Sequence, residues 1–141
     1  MGKPHHPIRH LLLGSLVLLI GSATLAVERE TTPKPTPRLV QIDPTASEYM
    51  DVLNGPPETV TMRSGLVVLP PAKSVGKHNT EIYEEAVIVL AGVGEMRITG
   101  GPTFKLKPSF VAYCPPFTEH DVINTGARML RYLYIVAKAK P

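Results

Sequence analysis

The sequence predicts an all-β domain, a sandwich or barrel, after an N-terminal leader and a linker. Three observations carry this. Short apolar runs recur every eight to twelve residues over the second half of the chain. Clusters of Gly, Pro and Asn separate them, and no long segment shows the 3.6-residue period of an amphipathic helix.

The elements follow in chain order. Residues 1–10, MGKPHHPIRH, are basic and hold no acid, and the next sixteen, LLLGSLVLLIGSATLA, hold no charge. A positive region, an apolar run and a small-residue end describe a signal peptide over 1–26, cut after Ala26 or Ala23. The other reading is an uncleaved N-terminal anchor, for which sixteen residues are short against the ~20 that span a bilayer. Either way the domain is expected outside the cytoplasm, secreted or periplasmic, or else membrane-anchored and facing outward. Residues 27–45 are rich in Pro, Thr and charge and read as an extended linker. SEYMDVLN, residues 47–54, suits one short helix or a docking strand, and Gly55-Pro56-Pro57 ends it.

A barrel is expected over 57–138. Its strand candidates are TVTM, GLVVL, EEAVIVLA, GEMRIT, FKLK, FVAYC, HDVIN and MLRYLYIVA. Turns are expected at Gly92-Val93-Gly94, Thr99-Gly100-Gly101-Pro102, Pro115-Pro116 and Asn124-Thr125-Gly126. EEAVIVLA is a nearly continuous apolar run, which suits a strand covered on both faces. A barrel of roughly 85 residues buries a modest fraction of its surface, so pairing of sheet faces in a homodimer would help.

Composition excludes several function classes. The chain has 15 Lys and Arg against 12 Asp and Glu, but Lys3 and Arg9 lie in the leader, so the rest is near neutral. No basic patch with interleaved aromatics appears, which argues against nucleic acid as a partner. Membrane contact is expected only through an uncleaved leader. Cys114 is the only cysteine, so no intramolecular disulfide forms. A lone strand cysteine is most often a small buried hydrophobe. Beyond the leader only His78 and His120 remain of five histidines.

His78, Glu81, Glu84 and Glu85 gather at the mouth of the apolar run 84–91. If Glu85 faces one side of that strand, Val87, Val89 and Ala91 share its face. A carboxylate on such a wall costs several kcal/mol unless paired. Its partner would be a metal, an arginine such as Arg97 or Arg131, or a bound ligand.

These residues resemble the small single-domain cupin family over about residues 57–138. The family's first motif is matched by His78, Glu85 and Gly92, and its second by Pro115, His120 and Asn124, six of ten positions in order and at the right spacing. Ala72, Ser109 and Phe117 stand where the family has glycine, and Thr80 stands where it has the second histidine of the first motif. The resemblance implies a double-stranded β-helix, or jelly-roll barrel. It also implies a divalent metal ion (Fe, Mn, Ni or Zn) held inside by His78, Glu85 and His120, with Thr80 leaving one ligand position unfilled. Two histidines and a carboxylate suit a non-haem Fe(II) site or catalytic zinc. The expected function is action on a small organic molecule, as dioxygenase, isomerase or lyase. The alternative is a metal-free binding or structural module, which Thr80 favours.

Around this set, Glu81 and Glu84 read as solvated rim, with Glu81 a possible replacement ligand. Cys114 reads as packed, or as a thiol beside the metal. Asn124 reads as a turn residue before Gly126. Tyr113, Tyr132 and Tyr134 read as ordinary strand residues, any one of which could line a pocket.

Overall fold

In a computed structural model of the chain, residues 34–139 are described. The leader expected over 1–26 and the first part of the linker lie outside them. Nine strands follow in order: β1 Met50–Asn54, β2 Arg63–Leu69, β3 His78–Asn79, β4 Tyr83–Ala91, β5 Gly94–Ile98, β6 Thr103–Leu106, β7 Val111–Cys114, β8 Glu119–Asn124 and β9 Leu130–Lys138. No helix occurs among the described residues.

The strands form two antiparallel sheets, one in the order β1-β2-β9-β4-β7 and one in the order β3-β8-β5-β6. Period-two patterning explains how they close. Along β4 the buried residues are Glu85, Val87 and Val89. Their neighbours on β9 and β7 include Tyr134, Tyr132, Ala112 and Cys114. From the other sheet, Met96 on β5, Leu106 on β6 and Val122 on β8 meet them in one cluster with Leu69 and Leu130. Full burial of each aliphatic side chain stabilises by roughly 1.5–3 kcal/mol.

Two strand expectations change, and of the two readings of residues 47–54 the docking strand is the one formed. TVTM forms a turn rather than a strand, because Thr59 bonds locally: its amide donates to the Gly55 carbonyl and its hydroxyl to that of Met62. Nothing buries this run, and Val60 is 76% exposed. Met50–Asn54, upstream of the barrel expected over 57–138, pairs with β2 as an edge strand. Finally, β4 is not covered on both faces. Glu84 and Leu90 are exposed on the side opposite Glu85, with Ala86 and Ile88 half-buried, because no strand or helix among the described residues covers the outer face of β4.

The positions where the resemblance expects glycine keep the backbone that glycine serves. Ala72, Ser109 and Phe117 have φ of 60°, 71° and 59°, and Gly92 has 79°. Three side-chain residues thus hold left-handed turns, where Cβ crowds the following carbonyl. Of these positions, Phe117 precedes β8 and Gly92 follows β4, the strands that carry His120 and Glu85.

Candidate metal centre

β3 is two residues long and carries no apolar pattern. Its backbone pairs only with β8, setting His78 opposite His120 and Asn79 opposite Glu119. The segment before it is also tied to β8: the amides of Ala72 and Val75 donate to the carbonyls of Asn124 and Val122, and the Asn124 amide donates to the Lys73 carbonyl. His78 therefore arrives at the sheet mouth on a braced strand. β4, on the facing sheet, contributes Glu85.

The three side chains converge. One ligand atom from each of His78, Glu85 and His120 lies within 4.8 Å of the others. The Glu85 Oε2 atom is 3.3 Å from His120 Nε2 and 3.8 Å from His78 Nε2. The imidazole rings stand 4.3 Å apart, tilted by 57°.

Each imidazole is oriented by its other nitrogen. His78 Nδ1 lies 2.9 Å from the Gly76 carbonyl, and His120 Nδ1 lies 3.3 Å from that of Thr118. A carbonyl only accepts, so Nδ1 carries the proton and Nε2 faces the cluster with its lone pair in the neutral ring. This is how histidines that bind metals are usually held. His120 is fully buried, yet its Nε2 has no hydrogen-bond partner. The 3.3 Å to Glu85 is within ion-pair reach but is not aligned as a hydrogen bond. An orphaned buried nitrogen beside a buried carboxylate fits a cation better than it fits a packed core.

By themselves the three groups form an ion-paired cluster. Burial pushes the Glu85 carboxyl up, but His120 and His78 outweigh it and hold it at about 2. Burial pushes His120 down, and the Cys114 thiol and Glu85 beside it outweigh that and raise it. Glu85 likewise raises His78, against burial.

The arginine alternative for Glu85 falls away. Arg97 pairs with Glu95 at 2.8 Å. Arg131 donates to the carbonyls of Ala46 and Thr45. Neither arginine reaches Glu85.

Thr80 is buried, and its hydroxyl both donates and accepts. It donates to the Pro115 carbonyl at 2.8 Å and accepts from the Thr118 amide at 2.9 Å. The residue that stands for the second histidine is thus a clamp between two loops. Glu81 does not join the cluster; it holds a left-handed φ of 50° on the rim. Glu84 points to the outer face and accepts from Tyr113 at 3.1 Å. Cys114 is buried with its sulfur 3.5 Å from that of Met96. Asn124 holds its turn: Nδ2 donates to the Leu69 and Arg128 carbonyls, and Oδ1 accepts from Gly126.

A cavity of about 300 Å³ opens beside the cluster. Tyr132 and Tyr134 line it with Tyr83, while Tyr113 lies outside. Strand parity decides this, since residues 132 and 134 share the inner face of β9. Arg63 and Val136 also line it. Sequence reasoning missed Arg63; the available signal was its place two residues ahead of Gly65 on the strand GLVVL.

Comparison with known proteins places this geometry. The family model described as "Cupin domain" matches residues 65–136, just over half of the chain. No curated protein matches the sequence significantly. Among solved structures, a Cupin 2 conserved barrel domain protein from Salinispora arenicola CNS-205 is similar at 18% identity and TM-score 0.59, covering 74% of this chain and 91% of that one. A predicted oxalate decarboxylase from Thermotoga maritima is similar at 19% and 0.54, covering 71% and 100%. The DMSP lyase DddQ from Ruegeria pomeroyi DSS-3 gives 19% and 0.54, covering 63% of this chain; the chain spans less than half, 45%, of that protein. At these identities the likeness is one of fold.

Proposed function

This chain belongs to the cupin domain family, and from that premise we propose that it holds a divalent metal ion on His78, Glu85 and His120 and acts on a small organic molecule in the cavity beside them. The observation that carries the reading is the buried His120 Nε2, left without a hydrogen-bond partner beside an ionised Glu85. Iron, manganese, nickel and zinc all suit the donor set. When bound, such an ion supplies Lewis-acid or oxygen-binding chemistry.

The chain's own residues do the rest. The Gly76 and Thr118 carbonyls keep the Nε2 lone pairs of both histidines turned toward Glu85. Val67, Val75 and Val136 give the cavity an apolar wall that limits water. Tyr132 lies almost fully buried at its base, with a hydroxyl kept protonated by burial and by nearby Glu85. That hydroxyl is available as a hydrogen-bond donor to a ligand. A solved structure titled as a lyase and another titled as a predicted decarboxylase share the fold, which is consistent with an enzyme but does not select a reaction.

The basic and apolar leader supports export, with the domain acting outside the cytoplasm or held at the membrane through residues 1–26. The half-exposed Ala86 and Ile88 and the exposed Leu90 on the outer face of β4 support a homodimer through that sheet.

The test is elemental analysis of protein purified without chelator. Occupancy near one equivalent, lost in His120→Ala, is the expected result. Less than about a tenth of an equivalent, with no thermal stabilisation on adding Fe, Mn, Ni or Zn, overturns it. The second reading, a metal-free binding or structural module, is favoured by Thr80, whose hydroxyl is committed to the backbone. Under that reading His120→Ala leaves fold and ligand binding nearly intact.

A further inference from the structure

We propose that the cavity is built for a small organic carboxylate, with the carboxylate group held by Arg63 at the end away from the metal ligands. This rests on the reading of His78, Glu85 and His120 as a metal centre.

Register places Arg63. It pairs with Val136 across β2 and β9, and Val136 pairs with Glu85 across β9 and β4. The three residues form one row across the inner face of the sheet. Adjacent strands are ~4.8 Å apart, so Arg63 and Glu85 start ~10 Å apart on the same face. Both line the same cavity, with Val136 between them.

Charge then favours an anion. The charged residues lining the cavity are Arg63, Glu81 and Glu85. Glu85 is claimed by the two histidines. Glu81 is an exposed rim residue on the backbone turn beyond His78. Among the described residues Arg63 has no carboxylate within ion-pair distance, whereas Arg38 and Arg97 each have one. Its stem lies over Gly55, where an added Cβ would come within 3.0 Å of Nε. Arg63 is exposed, so its guanidinium is a cation without an ion pair on the rim of the cavity, at the end away from His78, Glu85 and His120.

Size and lining narrow the class. A cavity of about 300 Å³ is at the small end of the range for small-molecule sites. Between Arg63 and the metal ligands the wall is Val67, Val136 and the rings of Tyr132 and Tyr134. Gly65 lets the rings of Tyr49 and Tyr134 lie against β2: a Cβ there would stand 2.8 Å from the Tyr134 ring and 2.6 Å from the Tyr49 hydroxyl. Tyr134 is fixed by its contact with Tyr49, which donates to Asp51. The middle of the ligand therefore lies against aliphatic side chains and ring faces, with the Tyr132 hydroxyl beside it. A single planar guanidinium, with no lysine and no helix N-terminus in the lining, suits a bidentate carboxylate rather than a phosphate.

The test is calorimetric titration of the full mature chain loaded with Mn or Zn. The probes are butyrate, succinate, butyramide and inorganic phosphate. Metal content and metal affinity are measured separately. Butyrate or succinate should bind at least about tenfold more tightly than butyramide, the ratio expected for one charge-assisted pair. Arg63→Met should lose that preference with metal affinity unchanged, and Arg63→Lys should keep part of it. Equal binding of acid and amide, tighter binding of phosphate, or an Arg63→Met variant that binds carboxylates like the parent overturns the proposal. The last result means the acid is held by the metal alone. If the chain takes up no metal, that reading fails by itself. The same titrations on the metal-free chain then decide the Arg63 assignment, with carboxylate preference lost in Arg63→Met supporting it and its absence overturning it.

Discussion

His78 and His120 face each other across the β3–β8 ladder, with ring centroids 4.3 Å apart and both Nε2 atoms turned to one carboxylate oxygen of Glu85. Glu85 raises the tendency of both rings to hold a proton. A metal needs both rings neutral. Metal binding near neutral pH should therefore displace protons, and affinity should climb with pH by about tenfold per unit for each proton released. Metal titrations from about pH 5.5 to 8.5 check this. An affinity flat across that range contradicts it. Glu85→Gln should weaken binding overall and flatten the slope.

The same cluster sets the pH range of the metal-free fold. Glu85 falls from an ordinary 4.5 to about 2 in the fold. Its contribution is fully present above 4.5 and is lost as pH falls through about 2. His120 rises above its ordinary 6.5. Its contribution is present below 6.5 and is lost as pH rises through its folded value. The metal-free domain should thus be most stable between those two ordinary values, because one attraction serves both groups. Urea midpoints at about pH 3, 5.5 and 8.5 should peak at the middle value, and Glu85→Gln should remove the peak.

How much of this was legible depends on what each residue does. The strands that pack the core announce themselves by alternation, as Val87 and Val89 do on β4. The strand that carries His78 does not, because both of its residues are exposed and it exists only to face β8. The candidate ligands His78, Glu85 and His120 were visible through motif spacing rather than through local pattern. Ala72, Ser109 and Phe117 broke that motif as letters yet keep its backbone. The motif marks left-handed turns more deeply than it marks glycine. Arg63 escaped notice because its meaning lies in register: only when β2, β9 and β4 align does it share a row with Glu85.

Thr80→Val separates a clamp from a metal neighbour. Valine keeps the shape and removes both hydroxyl contacts, leaving the Thr118 amide and one acceptor site on Pro115 without partners. The expected cost is about 2 kcal/mol in denaturant unfolding. Metal affinity should change little, since the hydroxyl is spent on the loop. A tenfold or greater loss of metal affinity at unchanged stability would place the hydroxyl in the metal's surroundings instead.

Asn124 closes the other end of the same assembly. Its side chain is 1% exposed and makes three hydrogen bonds of 2.8–2.9 Å, to Leu69, Arg128 and Gly126. Asn124→Ala strands these backbone groups in the interior and should cost about 3 kcal/mol, a large part of a typical domain's 5–15. Thermal and urea unfolding measure it. Loss of metal affinity with full stability would instead assign Asn124 to the site.

Gly92 and Gly100 give a controlled comparison of two costs. Both have left-handed φ, 79° and 70°, so alanine at either position bears the conformational cost of roughly 1–2 kcal/mol. Their surroundings differ. An added Cβ at Gly100 meets open space, while at Gly92 it would stand 2.4 Å from the Met129 carbonyl oxygen and 2.8 Å from the Leu130 Cα. Those atoms are backbone at the start of β9 and cannot rotate away. Gly100→Ala should therefore cost about 1 kcal/mol, and Gly92→Ala clearly more, through displacement of the β4–β5 turn from β9. Because β9 lies between β4 and β2, that shift also disturbs the row from Glu85 to Arg63. Gly92→Ala should lower metal affinity as well as stability, and Gly100→Ala should leave metal affinity as it was. Equal unfolding free energies for the two variants would show that the close approach to Met129 carries no weight.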